Sequence, residues 1–103
     1  MANPQCENGY TKISNELLEA ICLKFNDSNC LRVFMCLIRY TYGYHRKEVE
    51  ASYKTIAKWA KMPEETIRQI IDILKRAKLI ITFPLAENSL RVGINKNYDE
   101  WLL

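Results

Sequence analysis

The chain has 103 residues, 49% of them hydrophobic and 26% charged, with only three Gly and three Pro. That composition leaves room for one domain with one modest core and excludes a disordered chain, and the formal charge of +3 is mild. No apolar run approaches the roughly 20 residues of a membrane span, and MANPQCENGY lacks the basic-then-apolar order of a secretory signal, so a cytoplasmic protein is expected.

Residues 3–14, NPQCENGYTKIS, hold the turn formers Asn-Pro and Asn-Gly and show no helical period, so 1–14 is expected to be an N-terminal arm and 15–103 the folded domain. From Asn15, a candidate N-cap, Leu17, Leu18, Ile21, Cys22 and Phe25 line one side of a helix expected over 16–25. A second helix is expected over 30–42. Leu31, Val33, Phe34, Met35, Leu37 and Ile38 cover most of its circumference, leaving a polar stripe at Arg32, Cys36 and Arg39 and marking it as central. Gly43 permits a left-handed ending. The cysteines, Cys6, Cys22, Cys30 and Cys36, lack the close spacing of a zinc site, and the lone His45 is remote from them. Cys22 and Cys36 read as small buried hydrophobes, with neither metal nor disulfide expected.

The stretch YGYHRKEVE reads as a loop. Its tyrosines and Arg46 and Lys47 could stack on and neutralise nucleic acid, or they could cover the core edge while the cations face Glu48 and Glu50. His45 has no catalytic partner near it and reads as structural.

Two helices then meet at a corner. Tyr53, Ile56 and Ala60 recur at helical spacing after Ser52, a candidate N-cap, giving a helix over 53–61. Ile67, Ile70, Ile71 and Leu74 stand at i, i+3, i+4 and i+7, giving a longer helix over 64–77. Pro63 separates the two by starting a first turn and biasing Met62 away from helix, and Glu64 and Glu65 suit the positive helix end. This is the helix-turn-helix pattern, without the glycine often found in its turn. Residues 51–80 carry seven Lys/Arg against three acids, so the rest of the chain sums to −1. A phosphate footprint would need that concentration, and a solvated helix pair would also show it.

After Ile80 the period changes from 3.6 to 2. Ile81 and Phe83 flank Thr82, a polar break follows, and Leu90, Val92 and Ile94 alternate with Arg91 and Gly93, predicting paired strands at 80–84 and 90–94. The tail NKNYDEWLL suggests a short terminal helix. The expected class is mostly α with a small β-hairpin, a winged helix-turn-helix.

Three blocks carry a resemblance: NPQCENGYTKI at 3–13, YTYGYHRK at 40–47 and GINKNYDEW at 93–101. With the winged-helix pattern between them, the chain resembles the N-terminal domain of the phage replication initiator O family, the lambda-type origin-binding proteins. The resemblance implies a non-enzymatic winged-helix module in the host cytoplasm that recognises double-stranded DNA at repeated origin sites, commonly as a homodimer. In the family a separate C-terminal region recruits the host helicase through a loader. That region has no counterpart here, which leaves a DNA-binding fragment or a stand-alone protein.

On the second helix of the pair, about 100° per residue turns Glu65, Gln69, Asp72 and Arg76 away from the apolar stripe, with Arg68 and Ile73 flanking them. Glu65, Arg68, Gln69, Asp72 and Arg76 are therefore the candidate base readers. Gln69 suits adenine and Arg68 or Arg76 suits guanine. Lys54, Lys58, Lys61, Lys75 and Lys78 are candidate phosphate contacts, with Arg91 on the hairpin and Lys96 beyond it as wing contacts. No nucleophile, acid pair or phosphate loop is clustered, so neither catalytic residue nor cofactor is expected. The acids and the off-stripe Ile73 keep a second class open: a phage protein that inhibits or regulates a host machine through protein contacts.

Overall fold

The computed structural model describes residues 9–102. Its elements are α1 (Asn15–Lys24), α2 (Ser28–Thr41), β1 (Glu48–Ser52), α3 (Tyr53–Ala60), α4 (Glu64–Arg76), β2 (Ile80–Pro84) and β3 (Ser89–Ile94), with single 3-10 turns at Tyr42–Tyr44 and Tyr98–Glu100. The fold is mostly helical with a small antiparallel sheet, as a winged helix requires. Residues 1–8, including Cys6 and most of the expected arm, lie outside the described residues; residues 9–14 form neither helix nor strand. Among the described residues no helix is long and apolar enough to cross a membrane.

α2 is the central helix. Val33, Phe34 and Leu37 are fully buried, and α3, α4, β1 and β3 all pack against it. Burying side chains of that size stabilises by about 1.5–3 kcal/mol each. The apolar coverage is less complete than the sequence suggested, because Met35 faces out beside Arg32 and Arg39. Asp27 caps the helix by accepting from the Asn29 and Cys30 N–H groups. Beyond its C-terminal end the chain continues into the 3-10 turn, and His45, not Gly43, takes the left-handed conformation, at φ 58°. Gly43 serves close approach instead: a Cβ there would stand 2.7 Å from an Arg39 guanidinium nitrogen and 3.0 Å from Thr11 Oγ1.

α1 buries one narrow face, Leu17, Ala20 and Ile21. Leu18 and Cys22 are exposed, correcting the broader stripe expected, because α1 lies at the margin of the core and has only one side covered. Among the described residues Cys30 is the buried cysteine, and Cys36 is half-buried with its thiol on the Trp59 carbonyl; burial pushes both thiols up from their ordinary pKa. The N-cap of α1 is Ser14, whose Oγ accepts from the Leu17 N–H, rather than Asn15, which is already helical.

The sheet has the order β1-β3-β2. β2 and β3 form the expected hairpin, Ile80 opposite Ile94 and Pro84 opposite Leu90. β1 corrects the reading of YGYHRKEVE as loop throughout: its last three residues, Glu48–Glu50, begin a strand that runs on to Ser52 and pairs antiparallel with β3, from Glu48 opposite Gly93 to Ser52 opposite Ser89. Val49 and Ala51 point inward while Glu48 and Glu50 point out. Gly93 lets the strands meet closely, since a Cβ there would lie 3.1 Å from the Lys47 carbonyl oxygen.

The tail closes the core. Trp101 meets Phe34 edge-on at 5.4 Å and Phe25 at 6.4 Å, and its indole N–H donates to the Asn95 carbonyl. Asn95 in turn donates through Nδ2 to the Lys78 carbonyl, and the Leu102 N–H donates to the Ala77 carbonyl, so the last residues strap the end of α4.

Candidate nucleic-acid interface

α3 starts where β1 stops. Ser52 ends the strand and caps the helix, its Oγ accepting from the Thr55 N–H. Lys61, left-handed at φ 55°, ends α3, and Pro63 occupies the cap position of α4 rather than its first turn. The left-handed residue at this corner is thus a lysine where a glycine is common. Ile67, Ile70, Ile71 and Leu74 are all buried, as their spacing predicts, which fixes the rotation of α4 and turns Glu65, Gln69, Asp72 and Arg76 to solvent.

The hairpin lies along one flank of α4. Arg68, Ile71, Asp72 and Lys75 face Thr82 and Pro84 across a cleft of about 280 Å³. Arg68 is anchored there by three groups. Its guanidinium donates to Asn88 Oδ1 at 2.7 Å, lies over the Tyr53 ring at 4.3 Å, and stands 3.5 Å from Glu64 Oε1. Asn88, left-handed at φ 59°, also accepts the Tyr53 N–H through its carbonyl. Three elements, the start of α3, the flank of α4 and the hairpin tip, therefore meet at Tyr53, Arg68 and Asn88. Neither Tyr53 nor Asn88 was singled out from sequence for this; the available signal was an Asn in a polar tip, a residue type that tolerates the left-handed conformation.

The other arginines on this side are also paired. Arg76 holds Asp72 at 3.0 Å, and Arg91 holds Glu50 at 2.9 Å across the β1–β3 pair, an ion pair that pushes the Arg91 guanidinium pKa up. The Arg76 and Asp72 side chains are 79% and 51% exposed, so water screens that pair and little energy holds it. The outward side of α4 balances Glu64, Glu65 and Asp72 against Arg68, Lys75 and Arg76. α3 itself carries no acid, and its Lys54 and Lys58, with Lys61 at the corner, are all exposed.

Lys75 extends beside the hairpin, and Lys78, left-handed at φ 65°, sits with Lys75 around a second recess next to Ile80 and Ile81. Lys96 lies elsewhere. It follows β3 at the end opposite the hairpin tip and faces Lys12 and Lys47, so the structure does not bring it to the wing contacts expected of it. Ile73 is 46% exposed, about 140° around α4 from Arg68 and thus away from the hairpin.

A further aromatic assembly joins α2 to α3. Tyr40 stacks on Trp59 at 3.9 Å with the rings 7° apart, and Tyr44 continues the stack 6.0 Å from Tyr40. The Arg39 and Arg46 guanidinium groups lie 5.1 and 5.2 Å from the Tyr44 centroid.

The family model for bacteriophage replication protein O matches residues 3–101. The chain is 30% identical over 97 residues to the DNA replication protein gp18 of Salmonella phage P22, an alignment covering 94% of this chain and 34% of that protein. It thus spans about a third of the length of the curated relative it matches. No solved structure gives a significant match.

Proposed function

The chain belongs to the bacteriophage replication protein O family, and from that membership we propose that its helix-turn-helix and hairpin bind double-stranded DNA sequence-specifically, as the origin-recognition step of phage DNA replication. The observation carrying this reading is the pairing of two surfaces: the exposed Lys54 and Lys58 on α3 with Lys61 just after it, and the outward Gln69 and Arg76 on α4. Lysines set register on phosphates, and an amide and a guanidinium suit adenine and guanine edges in a major groove. The hairpin continues the surface on the Arg68 side, where Lys75 and Lys78 would meet phosphates.

Arg68 is assigned here as the residue that holds the hairpin against α4, because its guanidinium is already committed to Asn88, Tyr53 and Glu64. Arg76 is the freer reader of guanine, its one ion pair being exposed. Selection from a randomised duplex pool tests the proposal. A converged sequence is expected, bound with an affinity that falls steeply with salt. Lys58→Ala with Lys61→Ala weakens all duplexes alike, whereas Gln69→Ala weakens the selected one alone. A pool that never converges would remove the sequence-reading role.

A second reading, a protein-binding module acting on a host machine, rests on Ile73, a large apolar side chain left half-exposed on the flank away from the hairpin. In that case the face of α4 contacts protein, and substitutions on it leave DNA affinity unchanged.

A further inference from the structure

The second concentration of charge lies at the other end of the sheet. β1 and β3 run from the hairpin end, Ser52 opposite Ser89, to Glu48 opposite Gly93. Lys47 precedes β1 and so stands roughly 17 Å along the strand from that end, and Lys96, two residues past the end of β3, lies farther still. Lys12 reaches the same place from the N-terminal segment, which Ile13 anchors against the core and Ser14 ties into the α1 cap. Together Lys12, Lys47, Lys96, His45, Arg46 and Tyr42 line one recess of about 330 Å³, and none of the residues lining it is acidic. An adjoining recess of about 350 Å³ shares Lys12, Tyr42 and Lys96.

These cations are held on a fixed corner. The His45 N–H donates to the Tyr42 carbonyl and the Arg46 N–H to the Thr41 carbonyl, with His45 left-handed between them. Arg46 Nε donates to the Tyr40 carbonyl. Among the described residues the ion pairs engage Arg68, Arg76 and Arg91, and none engages Lys12, Lys47 or Lys96. Like charges gathered without counter-charges repel one another, and the arrangement is stabilised when a polyanion fills the recess. Tyr42, whose hydroxyl pKa is pushed up by burial and by the neighbouring Tyr98, also lines the recess.

We propose that the recess lined by Lys12, Lys47 and Lys96 is a second phosphate-binding surface, which takes the phosphodiester backbone of a nucleic-acid segment other than the one facing α3 and α4. The site stands on its own geometry and does not depend on whether α4 reads sequence. A polynucleotide fits better than an isolated anion, because two adjoining recesses sharing three residues offer room for consecutive phosphates.

The test replaces Lys12, Lys47 and Lys96 together by Gln, which removes charge at exposed positions and leaves the core untouched. Binding to random-sequence duplex and to random single strands is titrated over a series of salt concentrations, in the natural chain and in a Lys54→Ala, Lys58→Ala, Lys61→Ala background. The slope of log affinity against log salt is about −0.9 per phosphate on duplex and −0.7 on single strands, so the Gln variant is expected to flatten it by about 2 to 3. A change confined to single strands names a single strand as the source of the phosphates, and a change confined to duplex names a second duplex segment. Retention of the effect in the background lacking the α3 lysines separates this site from the helix-turn-helix. Unchanged slopes on both ligands overturn the proposal.

Discussion

Arg68, on α4, and Asn88, at the hairpin tip, are joined by a 2.7 Å hydrogen bond across twenty residues of sequence. The pair ties the hairpin tip to α4, and Asn88 also accepts the Tyr53 N–H through its carbonyl, which brings in the start of α3. Removing the side chain and changing the backbone can be separated at this position. Asn88→Gly deletes the bond to Arg68 yet keeps the φ of +59°, and should cost about 1 kcal/mol. Asn88→Ala deletes the same bond and adds left-handed strain of about 1 kcal/mol more. Urea unfolding gives both values, and an Ala variant as stable as the Gly variant would contradict the strain argument.

Glu65 separates the two functional readings. It is exposed in the first turn of α4, beside Gln69 and Asp72 on the outward face. If that face enters a groove, Glu65→Gln removes repulsion from phosphates and raises affinity for random duplex by about two- to fivefold, from roughly 0.3–1 kcal/mol of helix-end electrostatics. Discrimination between duplexes falls at the same time if the carboxylate rejects some base pairs. Titration of both proteins with the selected and random duplexes at two salt concentrations decides the matter. No change under any condition would count against DNA reading by this face.

Ser14 and Asn15 compete as the cap of α1, and only Ser14 has the geometry. Its Oγ accepts from the Leu17 N–H at 3.1 Å from an extended backbone, φ −72° and ψ 156°. Ser14→Ala is expected to cost about 1 kcal/mol and Asn15→Ala close to nothing. Thermal unfolding of the two variants side by side measures this, and equal losses would be inconsistent with the cap.

Several elements could be read from the chain because their signals are local. The Ile67–Leu74 stripe sets the rotation of α4 by itself, and Ser52 caps the helix it precedes. β1 was invisible for the opposite reason. Its pairing partner lies some forty residues away, and Val49 is the one large apolar residue in the strand, so the alternation of Glu48, Val49, Glu50 and Ala51 was too short to stand out. Arg68 and Lys96 have surroundings that local signals do not report. A helical wheel gives a direction for Arg68 but not the hairpin that waits there. Proximity to β3 in sequence does not say that Lys96 leaves from the strand's far end.

Trp101, seated between Phe25, Phe34 and Tyr98, also has a bearing on synthesis. A chain emerging from the ribosome presents Phe34 long before Trp101 exists to cover it. Until then the central helix has an open aromatic flank, and the Lys78 and Ala77 carbonyls lack the donors that Asn95 and Leu102 later supply. Domains tend to fold as units during synthesis, and this one is complete only once residues 95–102 have cleared the exit tunnel. The carbonyls at the end of α4 thus wait for donors that lie 17 and 25 residues further along the chain.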